Sequence, residues 1–149
     1  MRQIVCAGII AAAALAWGAE GSNSDQDLIQ GSWERVSFER SGKEEKNALG
    51  TIEKYVGSKV FWIDKNDPCC ECEFEVTLRP DKMPKEIDFT HKPDEDIEPG
   101  RETMKGIYRL EGDDLTICCG NGGGERATEF KTAESQKYWL MKLKRIKQN

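Results

Sequence analysis

The chain has 149 residues, a formal net charge of −5, a sequence pI of about 5.1 and a mean hydropathy of −0.67. That length holds one domain, too short for a TIM barrel or a two-domain nucleotide-binding enzyme, and the acidic balance lacks the basic stripe of a nucleic-acid binder. Charged residues at 33% exclude a membrane protein along the whole length, while five Phe, four Trp and three Tyr exclude a disordered acidic tail.

The first element is an address. Met1-Arg2-Gln3 precedes an apolar run from Ile4 to Ala19, followed by Glu20, Gly21, Ser22 and Asn23. One positive charge and a run shorter than a spanning helix describe a secretory signal peptide over residues 1–21, with cleavage after Gly18, Ala19 or Gly21. Cys6 leaves with it, so five of the six cysteines remain in the mature chain. Export to the periplasm, cell envelope or medium places that chain where disulfides form, with no membrane span left after cleavage. Residues 22–30 read as a polar lead-in with one helical turn over 27–30, and residues 31–146 as the domain.

From there apolar residues recur with the period of a strand. Residues 33–40 form the first strand, with Val36 and Phe38 on one face. Trp33 is out of phase with them, which predicts a twist or bulge near the strand's start. Residues 51–56 and 59–64 flank a Gly57-Ser58 turn. Residues 44–55 also fit helical spacing, but Gly50 favours strand from Thr51 onward. Residues 72–78 alternate strictly, with Cys72, Phe74, Val76 and Leu78 together. Residues 86–91 pair Ile87 with Phe89. Residues 103–110 and 114–119 flank Glu111-Gly112-Asp113, and residues 138–144 form the last strand. Eight short strands separated by turn signals predict an all-β fold, an antiparallel sandwich or barrel.

Gly31-Ser32-Trp33 resembles the Gly-x-Trp opening of lipocalin-like barrels. There a small residue lets the chain pass under the barrel, the indole plugs the floor, and a late basic residue lies across the ring. Arg145 is the expected partner, with Lys144 as the alternative. The chain as a whole, over about residues 28–145, resembles the lipocalin-like domain proteins of planctomycete bacteria. Leu28-Ile29-Gln30-Gly31-Ser32-Trp33 matches that family's opening, and Glu39-Arg40-Ser41-Gly42-Lys43 its first polar turn. Pro84-Lys85-Glu86-Ile87-Asp88-Phe89-Thr90 matches a central segment, and Gly106-Ile107-Tyr108-Arg109-Leu110-Glu111-Gly112-Asp113 a hairpin. Glu125-Arg126-Ala127-Thr128-Glu129-Phe130 matches a further segment, with Ala127 where Pro is usual. Together with the eight strands the resemblance implies export and a small eight-stranded antiparallel up-and-down barrel, lipocalin-like, and it brings no catalytic residues.

The cysteines depart from that family. Cys69-Cys70-Glu71-Cys72 is unusual there, and Cys119 is an addition beside Cys118. Strand parity puts Cys69, Cys70, Cys72, Cys118 and Cys119 at one rim, opposite Trp33 and Arg145. Disulfides between the two groups, a thiolate site for Zn or Cu, and free thiols all remain open. The single histidine, His91, has no nucleophile elbow and reads as a surface turn residue. Asp94-Glu95-Asp96 with Glu98 reads as a solvated acidic loop. Asn121-Gly122-Gly123-Gly124 has no helix after it, so it reads as a flexible rim loop and not a phosphate cradle. Lys142, Lys144, Arg145 and Lys147 form a basic end to the chain.

The expected function is non-enzymatic binding of a small hydrophobic ligand, without a cofactor. Phe38, Trp62, Phe74, Val76, Phe89, Tyr108 and Ile117 are the candidate pocket or core residues. A packed barrel acting as a cell-envelope protein-interaction module and a thiol-rich metal or redox site at the rim are the alternatives.

Overall fold

The computed structural model describes residues 23–68, 71–93 and 96–149. The predicted signal peptide therefore lies outside the described residues, as do Cys69, Cys70, Asp94 and Glu95. A short helix, α1 (Asp25–Leu28), leads into β1 (Gly31–Arg40), β2 (Lys43–Glu44), β3 (Ile52–Val56), β4 (Lys59–Ile63), β5 (Glu71–Arg79), β6 (Glu86–His91), β7 (Thr103–Glu111), β8 (Asp114–Gly120) and β9 (Tyr138–Arg145). Sheet order follows chain order, every pairing is antiparallel, and β1 also pairs with β9. The result is a closed, eight-stranded up-and-down barrel with β2 as one extra strand on the upper end of β1. The contested stretch before β3 holds only a single 3-10 turn, Lys46–Ala48.

The bulge exists, but its place differs from the prediction. The β1–β9 register slips between Arg35 and Ser37, at Val36. An extra residue there shifts the alternation by one. Trp33 and Arg35 therefore face inward before it and Phe38 after it, while Val36 stands outside, 45% exposed. Val36 and Phe38 do not share a face.

The lower and middle interior is filled. Val76, Ile87, Phe89, Leu115, Ile117 and Met141 are all buried in one cluster. Trp33 is fully buried at the floor, its indole N–H donating to the Ile29 carbonyl at 2.8 Å. Arg145 lies over the ring, with its guanidinium carbon 4.2 Å from the centroid. The same guanidinium donates to the Gln30 carbonyl at 2.9 Å and the Leu28 carbonyl at 2.5 Å, and it faces Asp113. One cation thus ties the end of β9 to the exit of α1. Gly31 owes its identity to its φ of +106°, which L side chains rarely adopt, and not to crowding: a Cβ there would meet nothing closer than Arg145 at 3.7 Å.

Asp25 holds the other side of the floor. It accepts from the Tyr108 hydroxyl at 2.5 Å and from Lys85 at 2.8 Å. Burial opposes its charge, but those two donors outweigh it and keep the carboxyl below the usual range. Burial and the Asp25 carboxylate raise the Tyr108 hydroxyl far above its ordinary value, so it stays a donor.

Outside the barrel, the segment after β8 lies across the wall. Ala127 forms a second small core with Ile107 and Cys118, flanked by Phe130, Tyr138 and Leu140. Arg126 clips it in place through the Gly106 carbonyl and Asp88, both at 2.7 Å.

Replacing Arg145 with Met should lower unfolding stability by about 2 kcal/mol, since a cation–ring contact and two charge-assisted hydrogen bonds go together. Urea unfolding measures this, and Arg145→Lys should recover only part of the loss. A carboxyl depressed in the folded state stabilises above its unfolded pKa, and that contribution is lost as pH falls through the folded value. The stability gap between wild type and Asp25→Asn should therefore be full at neutral pH and close on acidification below about pH 4, as followed by thermal melts across pH.

Candidate functional site

Alternation along β4, β5 and β9 sends Trp62, Phe74 and Trp139 into the upper barrel. Trp62 is the hub. Its ring centroid lies 4.6 Å from Phe74, 5.5 Å from Phe89 and 6.4 Å from Trp139. Phe38 joins from β1, 6.2 Å from Trp139. Trp62 and Trp139 are only partly buried, so this aromatic layer meets the mouth. A depression of about 260 Å³ opens above it, lined by His91, Ile97, Arg101, Met104, Asn121 and Trp139.

Beneath the aromatics lies a polar group that the hydrophobic pattern does not announce. Arg35 donates to Glu53 at 2.7 Å, and the Tyr55 hydroxyl donates to the other Glu53 oxygen at 3.0 Å. Glu53 is fully buried and Arg35 is 7% exposed. The guanidinium is stacked between rings, 5.0 Å from Phe38 and 5.4 Å from Trp62. Burial first, and then the Glu53 charge, drive the Tyr55 hydroxyl well above its ordinary pKa, so it too remains a donor. Two buried donor atoms here have no hydrogen-bond partner, Arg35 Nε and Trp62 Nε1.

All seven candidate pocket residues point inward, but they divide by height. Phe38, Trp62 and Phe74 belong to the upper layer. Val76, Phe89 and Ile117 are packed core. Tyr108 serves the floor through Asp25. Arg35, Glu53, Tyr55 and Trp139 were not among the candidates. Trp139 was legible, because it shares its phase with Met141 and Leu143. Glu53 and Tyr55 were not, because a period of two over residues 52–56 names two faces, one with Ile52 and Val56 and one with Glu53 and Tyr55, and the second is the buried one.

His91 ends a strand, as the 86–91 pattern predicts, and is half-buried there where a surface turn residue was expected. It is the last residue of β6, and its ring packs on Phe74 with centroids 4.7 Å apart. The glycine loop is not loose. A Cβ on Gly122 would sit 2.0 Å from the Arg101 carbonyl oxygen, so the two backbones touch, and the Gly123 amide donates to the Thr103 carbonyl at 3.3 Å. Glu98 of the acidic loop pairs with Arg101 at 3.0 Å.

Of the described cysteines, Cys118 and Cys119 diverge. Cys119 points into the core, and Cys118 points outward beneath the Ala127 segment. Adjacent residues of one strand face opposite ways, so a single rim position gives two environments. Both are buried free thiols. Burial pushes the Cys118 thiol up to about 11 and the Cys119 thiol higher still. Burial thus favours the neutral thiol over the thiolate at both positions. Cys72 is exposed at the start of β5. Among the described residues no group of three or more His, Cys, Asp or Glu is placed to hold a metal ion, and no helix is long and apolar enough to cross a membrane.

Comparison with protein-family models finds no match, and comparisons with curated proteins and with solved structures likewise find none.

Removing one member of a buried ion pair strands the other. Glu53→Ala should cost about 3–5 kcal/mol, while the double change Arg35→Met with Glu53→Leu should recover roughly half of that or more. Guanidinium unfolding of the three proteins tests this.

Proposed function

We propose that the chain is an exported, non-enzymatic, lipocalin-like binding module that takes a small hydrophobic molecule at the open mouth of its barrel. One observation carries the reading: the partly exposed Trp62 and Trp139 face the mouth above a filled core and a sealed floor. Buried aromatic area contributes most of the affinity in such sites, with a few polar groups setting orientation. The packed lower interior favours a shallow site near the rim over a deep cavity. Export is supported by the apolar run from Ile4 to Ala19 after Arg2. Kinship with the planctomycete lipocalin-like domains belongs to the same proposal. It rests on the Gly31-Ser32-Trp33 opening and the 106–113 hairpin.

The filled core also favours a second reading, a packed barrel that serves only as a protein-interaction module. Titration with the neutral fluorophore N-phenylnaphthylamine separates the two. The binding module should give saturable binding at one site with quenching of tryptophan emission, and Trp139→Ala should weaken it on the order of tenfold. A signal that rises without saturation, or a Trp139→Ala protein that binds as wild type does, overturns the mouth site and leaves the interaction module.

A further inference from the structure

We infer that the molecule held at the mouth carries an uncharged oxygen acceptor, a ketone, ester or amide carbonyl, that docks on Arg35 Nε and Trp62 Nε1; this rests on the binding reading above. The two atoms are buried donors on β1 and β4, the strands on either side of β3; neither has a partner, and the Arg35 guanidinium carbon lies 5.4 Å from the Trp62 ring centroid. They flank one carboxylate: Glu53 receives Arg35 Nη2, and Glu53 stands opposite Trp62 in the β3–β4 register. Buried donors are nearly always satisfied, and orphans at a site point to what the site receives.

The charge of the acceptor follows from the pair. Arg35 and Glu53 are neutral as a unit, and the second Glu53 oxygen is already taken by Tyr55. A carboxylate ligand would bring an uncompensated negative charge beside Glu53 into a water-poor interior. A plain hydrocarbon would leave both donors unsatisfied. A carbonyl oxygen has two lone pairs and no charge, so it can receive both N–H groups. Trp62 packs edge-on against Trp139, ring centroids 6.4 Å apart, and Trp139 lines the mouth, so a ligand reaches the donors by displacing the partly buried indoles.

The test titrates the purified protein with three probes of equal carbon count: methyl heptyl ketone, nonane and nonanoate. Affinity is read by calorimetry, and the Trp62 indole N–H by NMR after triple-resonance assignment. The ketone should bind on the order of tenfold more tightly than either of the others, and the Trp62 N–H should move downfield as it accepts a partner. Trp62→Phe, which keeps a ring and loses the donor, should reduce the preference for ketone over nonane several-fold. The NMR readout on wild type stands even if that variant does not fold. The acceptor site falls, with mouth binding intact, if nonane equals the ketone, if nonanoate binds tightest, or if the ketone binds with the Trp62 resonance unmoved. If none of the three probes binds and N-phenylnaphthylamine does not saturate, the binding reading itself falls.

Discussion

The barrel closes because β1 pairs along both of its edges, with β3 through residues 31–34 and with β9 from residue 33 to residue 40. A strand asked to do both must coil strongly, and the bulge at Val36 supplies the bend. That same slip changes which side chains enter the barrel. It puts Arg35 inside directly above Trp33, and Phe38 above Arg35. Closure also brings Arg145, at the end of β9, beside Trp33 near the start of β1. Register, floor and interior polarity all follow from how this one strand is threaded.

The two ends of the molecule solve opposite problems. The floor is sealed redundantly. Trp33 fills it, Arg145 covers the indole and caps the carbonyls of the α1 exit, and Asp25 anchors α1 to Tyr108 and Lys85. Every polar group named there has a partner. The upper half keeps an ion pair in a nearly apolar setting, with donors left over. Hydrophobic residues of similar volume would often stabilise such a position as well or better. The floor is thus satisfied in full, while the unpartnered donors lie in the upper interior, beneath the aromatic layer.

The cysteines show how topology and side-chain direction differ in what they settle. Strand parity correctly places the start of β5 and the end of β8 at the same rim. It does not put Cys118 and Cys119 in one environment, since consecutive residues diverge across the sheet. Cys119 joins the core near Glu53, and Cys118 is sealed beneath the Ala127 segment that Arg126 clips to the wall. That outer covering converts a rim thiol into a core residue.

Alternation and turn residues alone determined eight antiparallel strands, and the lipocalin-like Gly31-Ser32-Trp33 opening added their closure into a barrel. The pattern at Cys72, Phe74, Val76 and Leu78 and the turns at Gly57-Ser58 and Glu111-Gly112-Asp113 repeat every few residues, and local spacing is what specifies a strand. Gly31, Trp33 and Arg145 were legible as a floor because Gly31-Ser32-Trp33 resembles a lipocalin-like opening and antiparallel closure brings the start of the first strand beside the end of the last. Only the tertiary structure decided the bulge position, and with it the inward turn of Arg35. Only it decided that Glu53 and Tyr55, and not Ile52 and Val56, face the core, because a period of two names two faces without saying which is inside. The outer strap over Cys118 was equally out of reach, since residues 121–137 carry no periodicity and are held by contacts to distant strands. The candidate site falls in that second category: its aromatic rim could be read along the chain, while the ion pair and the unpartnered donors beneath it exist only where three strands meet.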